Sequence, residues 1–264
     1  MDVRLHTRTW LEVRELLDDE PVIVIPIGAL EQHGPHLPLE TDFRMADTVA
    51  ELAAQRATAD GTPTLVTPPI WSGYSPHHMD FQGTVTLSSA TLQAVIRDVA
   101  VSLWRHGFRK ILFLNGHGGN ANLLGGMVQT LRFEEGVRVA AASYWSFVAD
   151  RIGEWRHSGP GGIDHACEME MSLMLHVRPE HARAEVATDG TWFPNSRFLT
   201  GDLAIGAPVS VSWSFSELTE NGTLGDPVKA SAERGAELLT MIVDEVAAFL
   251  TEFRNWNWDE PRAI

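Results

Sequence analysis

A chain of 264 residues that is 44% hydrophobic and 21% charged has the composition of a folded protein with a substantial core, not of a disordered, collagenous or disulfide-stapled one. Its 20 Lys and Arg against 35 Asp and Glu leave a formal net charge of −15, and no basic cluster supplies the footprint a nucleic-acid binder needs to neutralise phosphates. The single cysteine, Cys167, makes no internal disulfide, so nothing demands an oxidising compartment. Residues Met1 to His6 lack the apolar core of a signal peptide, and every apolar run falls short of the roughly 20 residues that cross a bilayer. A cytoplasmic protein with neither a membrane nor a nucleic-acid partner is expected.

Apolar runs alternate with helical patterns. Pro21 to Gly28, Thr62 to Pro68, Lys110 to Leu114 and Val137 to Ser143 read as buried strands, since near-continuous hydrophobicity suits strands covered on both faces. Leu92, Val95, Ile96, Val99 and Leu103 recur at helical spacing before Gly107, and Leu238, Leu239, Ile242, Val246, Phe249 and Phe253 repeat the pattern near the end. A single domain over residues 1–264 follows, α/β in class, layered α/β/α around a mostly parallel sheet. Ala29 to Asp42, Trp71 to Thr84, His157 to Asp164 and Glu185 to Val209 break the alternation. Long irregular stretches in a compact domain tend to carry function, and sites in such sheets form at the carboxyl ends of strands.

Three segments carry the chemistry. After the first strand come Glu31, His33 and Asp42; residues two apart in an extended segment share a side, and a mixed oxygen and nitrogen donor set suits Zn, Mn or Fe. At the end of the third strand, Asn115-Gly116-His117-Gly118-Gly119-Asn120 delivers a histidine onto a glycine turn that lets a ligand approach closely. In Asp164 to Ser172, a regular helix would place His165 and Glu168 roughly 60° apart, and Glu170 about 160° around from Glu168. That geometry favours Glu168 as the carboxylate beside His165, and leaves Glu170 to orient a neighbour or face a loop. Each segment also has a plain structural explanation: Asp42 as a helix cap, the glycines as a tight turn, and the two glutamates as charges favoured in a first helical turn.

The combination of Glu-x-His, an Asp nine residues after that His, NGHGGN, HACEMEMS, FQGTV (Phe81 to Val85) and ENGTLGDP (Glu220 to Pro227) resembles the creatininase family of metal-dependent amidohydrolases over nearly the whole chain. The resemblance implies two divalent ions (Zn, Mn or Fe), one held by Glu31, Asp42 and His117, the other by His33 and the bridging Asp42. Creatinine-hydrolysing relatives complete the second ion with a glutamate two residues after the NGH histidine. Gly119 stands there in this chain, so Glu168 is expected to replace it. His165 matches the family's catalytic histidine, with Asp164 or Glu170 fixing its tautomer. His78, Trp145 and Gly118 are expected at the substrate, and His36 in a supporting role. Family members commonly form homohexamers, which makes a homo-oligomer the expectation.

The implied reaction is attack of a metal-bridged hydroxide on a carbonyl, cleaving a C–N bond of a cyclic or linear amide in a small-molecule substrate. Relatives clamp the flat creatinine ring with aromatics where this chain has Gly118 and the Gly161-Gly162 turn, so creatinine itself is not expected. The rival readings are hydrolytic C–C ring opening of an oxidised inositol, deformylation of a formamidopyrimidine nucleotide, a lyase or isomerase acting on a sugar, and a metal-binding regulatory protein without catalysis.

Overall fold

The structure, a computed structural model, describes residues 2–260 apart from 193 and 204; Met1 and residues 261–264, which the single-domain reading includes, lie outside the described residues. After helix α1 (Trp10–Leu16) the chain enters β1 (Val22–Ile27), α2 (Thr41–Ala59), β2 (Thr64–Val66), α3 (Ser89–Arg105), β3 (Lys110–Asn115), α4 (Ala121–Glu134) and β4 (Val139–Ser143). The four strands form one sheet in the order β2-β1-β3-β4, and every pairing is parallel. All four apolar runs are therefore strands, and both helical patterns are helices.

The alternation of side chains along each strand explains the layering. Val22 and Val24 of β1, with Leu112 and Leu114 of β3, pack into one core with α2 and the long C-terminal helix; Ile23, Ile25 and Ile27, with Ile111 and Phe113, pack into the other with α3 and α4. A sheet buried on both faces must be apolar at every position, which is what the runs showed.

Beyond β4 come a short α5 (Ile152–Trp155), β5 (Ile163–His165), α6 (Glu168–Val177), a short α7 (Phe215–Leu218), β6 (Leu224–Gly225) and α8 (Ala232–Asn255). β5 and β6 make a small antiparallel pair outside the main sheet. No helix among the described residues is long and apolar enough to cross a membrane.

Parallel strands end on the same side, and here they end level: Ile27 lies opposite Asn115, and Asn115 opposite Ser143. The start of α2 is pressed against that edge. A Cβ on Gly116 would fall 2.4 Å from the Asp42 carbonyl oxygen, and one on Gly28 would fall 2.4 Å from the Phe43 backbone nitrogen. Glycine at these two positions lets the first turn of α2, and with it Asp42, sit against the strand ends. Gly116→Ala should cost about 1–3 kcal/mol through overpacking and displace Asp42. Thermal unfolding together with bound-metal analysis checks this, and a variant as stable and as metal-rich as the parent would contradict it.

Candidate metal centre

The loop after β1 is closed by the Glu31 N–H donating to the Leu39 carbonyl at 3.1 Å, and flanked by FQGTV, where Leu30 bridges Val85 and the Gln32 N–H donates to Thr84 Oγ1 at 3.1 Å. The two asparagines of NGHGGN do the rest of the positioning. Asn115 brackets His117, accepting its N–H at 3.1 Å and donating to its carbonyl at 2.7 Å. Asn120 donates to the Gly28 carbonyl at 3.0 Å and accepts the Tyr74 N–H at 2.9 Å. Loops following three different strands are thereby tied to one turn.

Within this frame Glu31, Asp42 and His117 offer ligand atoms that all lie within 4.8 Å of one another, and so do His33, Asp42 and Glu170. Asp42 serves both groups. Its Oδ2 lies 3.0 Å from His117 Nδ1, and its Oδ1 lies 3.0 Å from His33 Nε2. Both histidines are oriented from behind: His117 Nε2 donates to the Tyr74 carbonyl at 3.0 Å, and His33 Nδ1 donates to the Glu31 carbonyl at 3.1 Å. Those bonds assign the proton to the outer nitrogen of each neutral ring and turn a bare lone pair toward the carboxylates. A lone pair and a carboxylate oxygen at 3.0 Å repel unless a cation or a proton lies between them.

The carboxylates make the same demand. Both Glu31 oxygens and Asp42 Oδ2 are buried with no hydrogen-bond partner, and uncompensated buried charge costs several kcal/mol per ion. Burial pushes the Glu31 carboxyl above its usual range, with the His117 charge opposing it. Burial pushes Asp42 the same way, but His33 and His117 outweigh it and hold that carboxyl well below the usual range. Burial works against charge on His33 and His117, yet Asp42 and Glu170 raise the first, and Glu31 and Asp42 the second, well above the ordinary imidazole range. This is a negative well lined with imidazole nitrogens and carboxylate oxygens, the donor chemistry of zinc or manganese. The residues fit such ions.

His165 joins the cluster from β5, its ring centroid 4.2 Å from that of His33 and its Nδ1 3.8 Å from Glu31 Oε1. Its Nε2 donates to the Gln32 carbonyl at 2.7 Å. The expectation that Asp164 or Glu170 fixes its tautomer is therefore corrected: the Gln32 backbone does so. Burial and the His33 charge press His165 well below the usual imidazole range, so it rests neutral. The Gln32 side chain, oriented by the Gly34 N–H at 2.8 Å, donates to the Gly222 carbonyl at 3.1 Å and meets His78 Nδ1 at 2.8 Å. His78 Nε2 in turn points at Glu31 Oε1, 3.3 Å away. His78, expected at the substrate, is buried beside Glu31 and forms part of the wall of the cavity over the cluster.

Glu168 is not brought to the cluster. Its carboxylate accepts the His157 N–H at 2.9 Å and the Ser158 N–H at 2.8 Å, anchoring the loop before β5. The helical-face argument carried one helix back through His165, whereas His165 ends β5, Ala166 takes a left-handed φ of 52°, and α6 begins only at Glu168. His36 steadies that bend by donating from Nε2 to the Ala166 carbonyl at 2.9 Å. Glu170 then sits third in the helix, where its Oε2 accepts the Cys167 N–H at 3.3 Å and its Oε1 lies 3.8 Å from His33 Nε2. Gly119 has no room for a side chain: a Cβ there would fall 2.5 Å from both His117 Nε2 and the Tyr74 carbonyl oxygen. Gly118, by contrast, faces open space. Together with Trp145 and Asp164 it lines the cavity of about 230 Å³ over the cluster. Asp164 is pushed up to about 7 by burial and by the neighbouring Glu170 and Asp202.

The raised imidazoles fix the sign of a pH effect. Below their elevated values both inner nitrogens carry protons, which must leave before a metal can bind. Zinc affinity should therefore fall as pH is lowered from about 8 to about 5.5, with protons released on binding. Calorimetry in buffers of different ionisation heat measures both, and affinity independent of pH with no proton release would contradict the arrangement.

Comparison with known proteins places the chain. The model of the creatininase family, described as creatinine amidohydrolase, matches residues 6–250. A mycofactocin precursor peptide peptidase of Mycobacterium tuberculosis is 33% identical over 239 residues, covering 88% of this chain and 85% of that one. The creatinine amidohydrolase of Pseudomonas putida is 30% identical over 263 residues, covering 92% and 94%. Among solved structures, a creatininase variant in a zinc–zinc form superposes with a TM-score of 0.80 at 28% identity, covering 97% of this chain and 100% of the other, and a manganese creatininase matches to the same extent. The chain belongs to the creatininase family of hydrolases.

Proposed function

We propose that this chain is an amide hydrolase that holds two divalent ions, zinc or manganese, one among Glu31, Asp42 and His117 and the other among His33, Asp42 and Glu170. The observation that carries the reading is the pair of buried carboxylates, Glu31 and Asp42, three of whose four oxygens lack a hydrogen-bond partner while ring nitrogens of His117 stand 3.1 and 3.0 Å from them. Bound there, such ions would make a water acidic enough to give up its proton for attack and would act as a Lewis acid for the carbonyl.

The chain's own residues do the remainder. His165, neutral and locked by Gln32, presents Nδ1 toward the cluster; it takes the proton of the attacking water and returns it to the leaving nitrogen. It acts first as a base, not as a standing imidazolium. His78 and Gln32 keep Glu31 and His165 in register. Burial of the whole cluster excludes bulk water, which strengthens every charge interaction in it.

An amide suits this site better than a phosphorylated nucleotide does. Two relatives carry amidohydrolase and peptidase names, and both words denote C–N cleavage. The cavity above the cluster shares a wall with a groove of about 720 Å³, more than a ring the size of creatinine needs. A phosphorylated nucleotide would need cations, and the described residues lining both cavities include no Lys or Arg.

Metal content by elemental analysis, together with turnover on a panel of linear amides and lactams, tests the assignment. Glu31→Gln and His117→Ala should lose metal and activity together. Glu170→Gln should fall from about two ions per chain to about one, whereas Glu168→Gln should keep both. His165→Ala should keep its metal and lose turnover by at least about a hundredfold. Full activity in Glu31→Gln, or two ions in Glu170→Gln and fewer in Glu168→Gln, would overturn the ligand set.

A further inference from the structure

One carboxyl side chain at the site has no part in holding metal, fixing a tautomer or moving the proton. Asp164 lies at the centre of β5, between Ile163 and His165, whose pairing with β6 fixes the backbone on either side. Its carboxylate has no hydrogen-bond or ion-pair partner among the described residues, and it is half-buried, open to the cavities on one side. With His77, Gly119 and Phe215 it forms the wall common to the metal cavity and the outer groove. Outward from it the groove is built of Trp192, Trp213, Val209 and Val211, with small hydroxyl side chains between them. His77 adds no charge there, since burial presses it down to about 4.

A carboxyl beside the cluster, facing a groove whose described lining includes no Lys or Arg, is a receptor for positive charge carried on N–H donors. Hydrogen bonds of that charge-assisted kind are about twice as strong as neutral ones. The wider field agrees, since a net charge of −15 draws cations and repels anions. Resting on the amide-hydrolase reading, we propose that Asp164 is a specificity-determining residue that receives a primary ammonium group of the substrate. The substrate class is then an amine-bearing amide: its carbonyl lies over the metal cluster, its ammonium reaches Asp164, and its apolar remainder runs out along Trp192 and Trp213.

The test needs no knowledge of the natural substrate and no turnover. Zinc-loaded protein is titrated calorimetrically with ω-aminoalkanamides of increasing chain length, each paired with its N-acetylated counterpart, which keeps the amide and removes the charge. At one chain length or more, the free amine should bind at least about tenfold tighter than its acetylated partner. Asp164→Asn, close to isosteric, should erase that preference with zinc content unchanged. An absence of preference at every length in the parent protein overturns the proposal even if the variant fails to fold. A preference that survives in Asp164→Asn overturns it as well, and identifies the metal as the amine's partner. Zinc measured on the same samples separates the two levels: intact zinc without amine preference removes only the role of Asp164, whereas absent zinc removes the metal centre beneath it.

Discussion

Two carboxylates, Glu31 and Asp42, are buried side by side with three of their four oxygens lacking a hydrogen-bond partner, and the rest of the site is arranged around that deficit. Charge of one sign in a buried place is costly, and it is tolerated where a cation of matching chemistry neutralises it. The imidazoles on either side are turned so that their inner nitrogens face Asp42, His117 meeting Glu31 as well and His33 Glu170, and each ring is held from behind by a backbone carbonyl. No fold would keep such a cluster for stability alone, because replacing it with apolar side chains is commonly neutral or stabilising.

The architecture supplies the rigidity this needs. Parallel strands ending level give one platform, and NGHGGN is better understood as a fastener than as a loop, because its asparagines tie the turn to the segments following β1 and β2. Gln32 is the second fastener. Its backbone sets His165 and its side chain joins His78 to the ENGTLGDP stretch, so residues nearly two hundred positions apart report on one another. The device is a set of backbone-anchored polar side chains around a charged centre, and precision comes from the anchors.

Much of this could be seen in the amino-acid sequence because it depends on periodicity and on local composition. Strands buried on both faces must be apolar throughout, and helices such as α3 and α8 must repeat every three to four residues, so both appear in a one-dimensional pattern. The convergence of Glu31, His33, Asp42 and His117 was also readable, because sites in such sheets form beyond the carboxyl ends of strands, where these four residues stand. The β5–β6 pair was not readable: runs of three and two residues carry no period. Glu168 was preferred to Glu170 because a helix was extended through His165, and the left-handed Ala166 that stops it is an unusual conformation for a residue bearing a Cβ. The bracing contacts of Gln32 and His78 were not readable for a related reason. Their roles come from contacts across the chain, Gln32 to Gly222 and His78 to Glu31, and only the assembled fold brings these together. Gly119 gave a hint only through the family resemblance, which implies a carboxylate at that position and hence a substitute elsewhere.

The account stands on cations meeting these particular oxygens and nitrogens, and anomalous diffraction reads that directly. Crystals grown with zinc or manganese, measured on either side of the metal absorption edge, should show two peaks, one bounded by Glu31, Asp42 and His117 and the other by His33, Asp42 and Glu170. A map without peaks among these residues, or with the second peak at Glu168, would contradict it.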